Sequence, residues 1–438
     1  MENVKVSVIM PSLNVADYIG ECIESVINQT LKNIEIIFVD AGSTDGTLEI
    51  LNEYAKEDSR IKIINSDKKS YGYQMNIGIA NATGEYIGIV ETDDFVDVEM
   101  FEELYKIATE NELEFIKSDF YRFVVSDNGI YDKRLFKLIT NSEQLSLYNQ
   151  VISPAEHLET FNFVMNTWSG IYKKEFLEEN SIKHNESPGA SFQDNGFWFQ
   201  TFIYAKRAMF YDKPFYMNRR DNPNSSVYSK EKVYSFCHEY EYIKNVMLKN
   251  EEIYQHFKYV YSKAKYNNYF FNLNRIGKEY IMEFLLTMSR EINESIENEE
   301  ISRDYFPSYK WKELMEIAEY PQGYYKRVIE ENFLIEEKMK KYDSIIIYGA
   351  GAIGKRTLSM LRAKSGGEKI KSFAVTSKEN NLKEIDGIAV KEIDELMEYT
   401  EKAAIIVAVS AKYREEINAL LRDKGFKNIY FTPTLEFI

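Results

Sequence analysis

Carboxylate side chains follow two strand-like segments near the start of the chain. Asp40 comes directly after IEIIFV, and Glu91, Asp93 and Asp94 come after EYIGIV. Ligands bind outside the carboxyl ends of strands in an open parallel sheet, so both groups are expected at one edge. Carboxylates this close repel one another unless a cation neutralises them. The pattern predicts a divalent cation that also binds substrate phosphates, and the alternative is a solvated turn whose Asp caps the next helix.

Alternating strands and helices are expected to hold these carboxylates in place. Short β-branched runs separated by segments with helical spacing recur over residues 1–120. Apolar strands that alternate with helices favour a mostly parallel sheet covered on both faces. The strands predicted in this part are Val4–Met10, Ile34–Val39, Ile61–Ile64, Tyr86–Val90 and Phe115–Ser118.

The chain is expected to have three parts, because 438 residues are too many for one small core. Residues 1–229 are predicted to form an α/β domain. Residues 230–341 are rich in Tyr, Phe, Lys and Glu and are predicted to form a helical bundle or linker. Residues 342–438 resume the strand–helix alternation, which predicts a small Rossmann-like α/β domain.

The last part contains the turn GAGAIG at Gly349–Gly354. It follows a strand and opens a helix, which is the context of a dinucleotide-binding fingerprint. The next strand, SFAV, ends at Val375 with no acidic residue to hold a ribose. Close packing between strand and helix explains the glycines equally well, so nucleotide binding, partner recognition and homo-oligomer formation all stay open for this domain.

Charge and composition exclude several classes of protein. The chain has 54 Lys and Arg against 70 Asp and Glu, a net charge of −16, and residues 1–120 hold 9 of the former and 24 of the latter. No nucleic-acid partner is expected from a chain without a basic surface. Cys22 and Cys237 are too few for a disulfide scaffold or a cysteine-based zinc module.

A cytoplasmic setting is expected from the apolar pattern. The first residues, MENVKVSVIMPSLN, lack the basic start and long apolar stretch of a signal peptide. No apolar run approaches the roughly 20 residues that span a bilayer, so no transmembrane segment is expected. Peripheral association with the inner face of a membrane stays open, although the helical region lacks a strong Lys and Arg face.

Four segments together resemble a family-2 glycosyltransferase of the GT-A fold. They are VSVIMPSLN, IEIIFVDAGSTDGT, NIGIANATGEYIGIVETDD and FQDNGFWF, and the resemblance spans residues 4–226. It implies transfer of a hexosyl or N-acetylhexosaminyl group from a nucleotide-sugar, in the first place a UDP-sugar, to a carbohydrate or glycoconjugate acceptor, with inversion. It also implies Mn²⁺ or Mg²⁺ as cofactor and a place in bacterial polysaccharide or glycoconjugate assembly.

The resemblance also implies which residues bind the donor. Pro11, Ser12 and Asn14 would line the nucleotide pocket, and Asp40 would accept a hydrogen bond from the base, typically uracil. The usual DGS motif is altered here to DAGS. Further residues expected to contact the nucleotide-sugar are Tyr71, Gln74, Asn76, Thr92, Trp168, Arg219 and Arg220.

The resemblance assigns the metal and the base as well. Asp93 would ligate the metal that bridges the diphosphate, together with Glu91, which stands where the family usually has Asp. Asp194 matches the catalytic base, with Gln193 in place of the first member of the usual acidic pair. Inversion requires a base on the face opposite the leaving diphosphate. The structural alternative for Asp194 is a helix N-cap.

Cations are needed to stabilise the charge that develops on a leaving diphosphate. Arg219 and Arg220 lie in the polar segment NRRDNPNSS and are the first candidates, followed by Lys68 and Lys69, for which ordinary surface charge explains the pattern equally well. Trp168 either stacks on the acceptor sugar or belongs to the core.

Two other functions are compatible with the sequence. A nucleotide-sugar oxidoreductase would act through GAGAIG. A non-catalytic sugar- or nucleotide-binding scaffold would account for the departures at Glu91 and Gln193. Metal-dependent UDP binding and turnover would separate the glycosyltransferase from both.

Overall fold

The computed structural model describes residues 3–125, 129–225, 229–330, 335–363, 369–379 and 381–432. The chain divides into two compact units, Met1–Lys265 and Tyr266–Ile438. The first unit extends beyond residue 229 and contains the helix Ser235–Met247, which the sequence pattern assigns to the helical region. The three-part division of the chain stays a prediction.

The first unit is built around a nine-stranded sheet. Its strands are β1 Val6–Ser12, β2 Ile34–Asp40, β3 Ile61–Asn65, β4 Tyr86–Ile89, β5 Phe95–Val96, β6 Phe115–Val125, β7 Tyr131–Phe136, β8 Gly170–Lys173 and β9 Ala208–Arg219. They lie in the order β3-β2-β1-β4-β8-β6-β9-β5, with β7 paired to β6. Parallel pairing joins β1 to β2 and β4, β2 to β3, and β6 to β9, whereas β5, β7 and β8 pair antiparallel.

Helices cover this sheet, as the alternating pattern predicts. All seven residues of β1 and of β2 are buried, which is typical of central parallel strands with helices on both faces. Helix α1 buries Ile19, Cys22, Ile23 and Val26 at helical spacing. The helices are α1 Ala16–Ile27, α2 Thr47–Glu57, α3 Tyr71–Asn81, α4 Met100–Glu110, α5 Lys174–Glu179, α6 Asp194–Tyr204 and α7 Ser235–Met247, followed by α8 Glu251–Arg275, which runs from the first unit into the second.

The second unit contains helices followed by a six-stranded sheet. The helices before the sheet are α9 Ile281–Glu297, α10 Ser308–Glu319, α11 Pro321–Tyr324 and α12 Ile335–Lys340, with a π-helical stretch at Tyr325–Glu330. The strands and helices of this part are β10 Ile345–Tyr348, α13 Ala352–Ala363, β11 Ile370–Val375, β12 Glu384–Ile385, β13 Ile388–Glu392, β14 Ala404–Val407, α14 Arg414–Asp423 and β15 Ile429–Phe431. The strands lie in the order β12-β13-β11-β10-β14-β15, and all pairs are parallel except β12 with β13.

The expected fold class is confirmed by these elements: an α/β unit with a mostly parallel sheet, a helical region and a second, Rossmann-like α/β sheet. The second sheet has apolar clusters on both faces. GAGAIG lies between β10 and α13, and a Cβ at Gly354 would overlap the Gly349 carbonyl oxygen. Close packing of the turn against the helix therefore requires glycine there. Among the helices described, none is long and apolar enough to cross a membrane.

Candidate active site

The acidic segment after β4 is held by contacts with β1 and β9. Thr92 is buried, and its Oγ1 donates a hydrogen bond to the Pro11 carbonyl of β1 at 2.8 Å. The Glu91 backbone N–H donates to Tyr216 Oη of β9 at 2.9 Å. Because β1 pairs in parallel with both β2 and β4, Asp40 and the acidic segment lie at the same edge of the sheet.

Glu91 lies in the centre of a group of interacting acidic side chains. It is half-buried, and Tyr71 Oη donates a hydrogen bond to its Oε1 at 2.7 Å. Burial raises the pKa of Glu91 to about 8; the Tyr71 hydrogen bond acts in the opposite direction, and the charges of Asp93 and Asp194 raise it further. The carboxylates predicted for the metal and for the base are therefore close enough to affect one another.

Asp93 and Asp94 have different surroundings although they are adjacent. Asp94 is buried and accepts hydrogen bonds from the Arg219 backbone N–H at 2.6 Å and from Asn218 Nδ2 at 3.1 Å. Burial raises the pKa of Asp94 well above its ordinary range. Asp93 is half-buried, and its Oδ2 accepts a hydrogen bond from Asn222 Nδ2 at 2.8 Å. Asp94 thus joins the segment to the end of β9, and Asp93 is the more accessible carboxylate.

Arg219 is built into the protein rather than exposed to a ligand. Its side chain is only 7% exposed, and Nη2 forms an ion pair with Glu21 Oε2 at 2.6 Å. Its Nε donates to the Asp93 carbonyl at 2.9 Å. The guanidinium lies over the rings of Tyr18 and Phe123, 4.9 and 4.7 Å from their centroids. Arg219 therefore positions the acidic segment against α1, and its predicted contact with phosphate would be additional to these contacts.

The other cations expected near the diphosphate are more accessible. Arg220 is half-buried, and its backbone N–H donates to the Phe123 carbonyl at 2.9 Å. Lys68 and Lys69 are exposed. Lys68 Nζ lies 4.0 Å from the Tyr73 ring centroid and 3.8 Å from Glu186 Oε2. Their roles at the diphosphate stay predictions.

Asp40 is occupied by hydrogen bonds within its own turn. Its Oδ2 accepts from the backbone N–H groups of Gly42 and Ser43, both at 2.9 Å. Its Oδ1 accepts from Ser43 Oγ at 2.5 Å and from Ser12 Oγ at 3.1 Å. An ionised carboxyl has about four lone-pair sites, so a base would have to share one of these oxygens. The observed role of Asp40 is to close the turn, and its contact with a base stays a prediction.

Three other residues predicted for the nucleotide pocket hold backbone segments in place. Asn14, at φ +54°, accepts a hydrogen bond from the Thr44 N–H at 2.8 Å. Gln74 is buried, and its Nε2 donates to one carbonyl of β1 at 3.0 Å and one of β2 at 2.6 Å. Asn76 binds both the N–H and the carbonyl of His184, at 2.9 and 3.0 Å. Each of the three therefore fixes a stretch of backbone through hydrogen bonds of its side-chain amide.

Trp168 packs against aromatic residues of the sheet. Its ring stacks on Tyr216 with a centroid distance of 4.3 Å and meets Phe120 edge-on at 4.8 Å. It is half-buried. These contacts are those of a residue that packs in the aromatic core, and stacking of Trp168 on an acceptor sugar stays a prediction.

Asp194 is the first residue of α6, at the end where a helix favours negative charge. It is half-buried, and burial raises the pKa of its carboxyl to about 6, against the effect of backbone N–H groups of Asp194 and Asn195 and of the charge of Lys117. The cap position is Gln193, one residue earlier. The residue predicted as a base therefore has a pKa near neutrality, and the N-cap alternative does not describe its position.

Two buried charged residues near Asp194 are missed by the sequence analysis. Lys117 on β6 is 1% exposed, and its Nζ donates to the Asn166 carbonyl at 2.6 Å and to Tyr172 Oη at 3.1 Å. Burial holds its pKa well below the ordinary range, and the charge of Asp194 acts in the opposite direction. A lysine inside the predicted strand Phe115–Ser118 is a signal that could have revealed it. Glu239 on α7 lies outside residues 4–226, over which the chain resembles family-2 glycosyltransferases, and the sequence around it does not indicate a buried charge.

The carboxylates of Asp93 and Glu91, at the end of β4, fit a metal that takes some of its ligands from the protein and the rest from a substrate. Within the described residues no group of three or more His, Cys, Asp or Glu is arranged to hold a metal ion. Mg²⁺ usually takes one or two carboxylates together with substrate phosphates and waters, so Asp93 and Glu91 would suffice. Burial is the main cause of the raised pKa of Glu91, and the charges of Asp93 and Asp194 add to it, so a cation bound here would favour the ionised form.

Comparisons with known proteins identify the family of the chain. The family model described as glycosyl transferase family 2 matches residues 7–173. The chain is 33% identical over 223 residues to the uncharacterized glycosyltransferase EpsJ of Bacillus subtilis, covering 50% of this chain and 62% of EpsJ. It is 31% identical over 222 residues to the glycosyltransferase GlyG of Streptococcus pneumoniae, covering 49% of this chain and 70% of GlyG.

A solved structure shows the same fold. The crystal structure of Staphylococcus aureus TarS 1–349 in complex with UDP-GlcNAc aligns with a TM-score of 0.54 at 18% identity, covering 77% of this chain and 93% of that one. The expected GT-A type of fold is confirmed by this likeness. From the family model and the share of GlyG that is matched, the chain belongs to glycosyl transferase family 2.

Proposed function

We propose that this chain transfers a hexosyl or N-acetylhexosaminyl group from a UDP-sugar to a hydroxyl of a carbohydrate or glycoconjugate, with inversion at the anomeric carbon. One observation above all supports the proposal. A half-buried carboxyl at the start of α6, Asp194, has a pKa of about 6 and lies close enough to Glu91 for their charges to interact. A general base is most effective when its pKa is near the working pH.

The proposed reaction requires one proton transfer to Asp194. The acceptor hydroxyl gives its proton to the Asp194 carboxylate, and its oxygen forms a bond to the anomeric carbon. The bond from that carbon to the donor phosphate breaks, and the electron pair leaves with UDP. Inversion follows because the acceptor attacks the face opposite the leaving group, as water does in inverting glycosidases. Proton removal by a positioned side chain contributes about 10²–10⁴-fold.

Asp93, with Glu91 beside it, is proposed to hold Mn²⁺ or Mg²⁺. Such an ion, when bound, would neutralise the negative charge on the diphosphate. The chain's own part is to present two carboxylates at the sheet edge and to fix them through Thr92, Asn222 and the Arg219 side chain. The mutual interaction of the Glu91, Asp93 and Asp194 carboxyls, which raises the pKa of Glu91 beyond the effect of burial, supports this assignment.

The donor and acceptor classes are proposed by analogy. TarS, which shares the fold, was crystallised with UDP-GlcNAc, and this supports a UDP-sugar as the donor here. One relative, 31% identical over 277 residues, is named a cholesterol galactosyltransferase from Borreliella burgdorferi. This name supports sugar transfer as the reaction, and polysaccharide or glycoconjugate assembly is proposed as the setting.

The test is UDP release by the full chain with a panel of UDP-sugars, with Mn²⁺, Mg²⁺ or a chelator. Asp194→Asn is expected to lower turnover by at least about a hundredfold while UDP binding, measured by calorimetry, is retained. Asp93→Asn is expected to weaken UDP binding only when a divalent metal is present. Turnover by Asp194→Asn at the wild-type rate would contradict the proposal, and so would UDP-sugar binding without any turnover by the wild type.

A further inference from the structure

Helix α6, which carries Asp194, has no side-chain cap of its own. Its cap residue Gln193 makes no side-chain hydrogen bond to the helix. Gln193 contacts the preceding loop instead: Nε2 donates to the Gly189 carbonyl at 2.9 Å, and Oε1 accepts from the Ser191 N–H at 2.5 Å. The first N–H groups of a helix have no partners within the helix. The Asn195 N–H donates to the Phe192 carbonyl at 3.0 Å, so the next N–H of the first turn, that of Gly196, is the one that needs an acceptor from elsewhere in the chain.

Glu239 on α7 supplies that acceptor. Its side chain is 1% exposed, and Oε1 accepts a hydrogen bond from the Gly196 backbone N–H, in the first turn of α6, at 2.7 Å. Its other oxygen, Oε2, accepts from Asn185 Nδ2 at 2.9 Å. A carboxyl oxygen at a helix N-terminus can accept a hydrogen bond from an N–H group that has no partner within the helix. The first turn of α6 is thus held by a residue 43 positions later in the chain.

Gly196 is the position at which this contact depends on glycine. A Cβ there would overlap Glu239 Oε1 and would come within 3.1 Å of Tyr242 Cδ1. Tyr242 is itself fixed, because its Oη donates to the Lys183 carbonyl at 3.0 Å. Alanine is favoured over glycine inside helices, so glycine at this site is explained by the close approach of α7.

We propose that Glu239 is a positioning residue for the transfer reaction: by accepting the Gly196 N–H it fixes the first turn of α6, and with it the Asp194 carboxylate. The inference rests on the proposed role of Asp194 as the base. It gives α7 a part in the active site, although α7 lies beyond residues 7–173 that match the family model. A displacement of about 1 Å at a reacting group can cost about a hundredfold in rate.

Charged and titratable groups reach Asp194 from several elements. Lys117 on β6 interacts with the Asp194 carboxyl, and the charge of Asp194 also affects two glutamates and two tyrosines, namely Glu91, Glu239, Tyr71 and Tyr172. Burial raises the pKa of Glu239 to about 8, hydrogen bonds from Asn185 and Gly196 act against this, and the charge of Asp194 adds to it. Glu239 is therefore mainly protonated at the pH where Asp194 titrates, so neutral glutamine matches its charge there and keeps one oxygen for the Gly196 N–H. The glutamine NH2 takes the place of the oxygen that accepts from Asn185 Nδ2, so the Asn185 amide has to turn its oxygen towards it.

The first experiment compares Glu239→Ala with Glu239→Gln in the full chain, with UDP release as the assay. Glu239→Ala is expected to lower kcat by about ten- to a hundredfold with a donor KM within about threefold of wild type. It also admits water to Asp194, so the acid limb of the kcat/KM profile, near pH 6, should move to lower pH. Glu239→Gln keeps an acceptor for the Gly196 N–H and should stay within about threefold of wild type.

The second experiment uses Gly196→Ala, which changes no titratable group. Alanine favours the helix, but its Cβ would overlap Glu239 Oε1 and crowd Tyr242, so Tm is expected to fall. At a temperature where the variant is fully folded, kcat should still fall as in Glu239→Ala. In the double variant Gly196→Ala/Glu239→Ala the severe overlap with Glu239 Oε1 is gone and only the closer approach to Tyr242 remains, so the two losses of kcat should be less than additive. If Glu239→Ala does not fold, Gly196→Ala and Glu239→Gln still decide the question.

Wild-type kcat and an unmoved acid limb in both Gly196→Ala and Glu239→Ala would overturn the inference. A loss of folded protein alone would lower kcat without moving the acid limb, and that result would also overturn it. Asp194→Asn separates this failure from failure of the proposed function. If Asp194→Asn is inactive while both other variants are normal, only the inference fails, and if Asp194→Asn is fully active, the proposed function fails first.

Discussion

Adjacent residues of one type take different roles at the acidic edge. Asp94 is buried against the backbone of β9, whereas Asp93 is half-buried and more accessible. The sequence predicts that carboxylates gather at the ends of β2 and β4, because strand order and pattern place them there. It does not predict that Asp40 and Arg219 are already occupied by contacts within the protein, since those partners are brought together only by the tertiary structure.

Glu35 on β2 offers a test of buried charge outside the site. It is 3% exposed, its Oε1 accepts hydrogen bonds from Ser7 Oγ at 2.5 Å and from the Thr83 N–H at 2.5 Å, and Lys62 pairs with Oε2. Burial raises the pKa of Glu35, but the hydrogen bonds from Lys62, Ser7 and Thr83 outweigh this and lower it to about 2. The ionised form therefore stabilises the folded state.

We expect Glu35 to make stability fall in acid. Because its folded pKa is below its ordinary value of 4.5, its contribution is complete above pH 4.5 and is lost as the pH falls towards 2. The contribution at neutral pH is on the order of 3 kcal/mol. Urea unfolding of wild type and Glu35→Gln should give free energies that differ most at pH 7 and converge in acid. A constant difference between pH 7 and pH 2.5 would contradict the prediction.

At the scale of elements, the sequence predicts the central parallel strands well and the short antiparallel strands poorly. The ends of the parallel strands β1 to β4 are predicted within two residues, because each contains a β-branched or apolar run next to a segment with helical spacing. The antiparallel strands β5 and β8 are only two and four residues long, and β5 pairs with a strand more than 100 residues away. Their pairing depends on the tertiary structure, and no local pattern predicts it.

The turn between β10 and α13 gives a prediction with a matched control. A Cβ at Gly354 would overlap the Gly349 carbonyl oxygen and come within 3.2 Å of Phe373 Cε1, whereas a Cβ at Gly351 has no atom within 4 Å. Gly354→Ala is expected to destabilise the second unit by about 1–3 kcal/mol through overpacking. Gly351→Ala should be close to neutral. Calorimetric unfolding of both full-length variants tests this, and equal transition temperatures would contradict the packing account of GAGAIG.

At the scale of the whole molecule, negative charge is concentrated on the part that is proposed to bind an anion. Residues 1–120 hold 9 Lys and Arg against 24 Asp and Glu, while the rest of the chain has 45 against 46. The acidic edge accounts for only part of this excess. Long-range repulsion should therefore oppose the approach of UDP unless cations screen it.

This repulsion predicts an unusual dependence on salt. Without divalent metal, the affinity for UDP should rise by about twofold or more between 0.01 and 0.15 M NaCl, because the Debye length shortens from about 30 to about 8 Å. Uncharged uridine is the matched control and should bind equally at both salt concentrations. Saturating Mn²⁺ should reduce the effect, since metal-bound UDP carries less negative charge. Calorimetry at the two salt concentrations measures these affinities, and a UDP affinity that falls with salt would show that nearby cations such as Arg220, rather than the acidic surface, control the approach of the diphosphate.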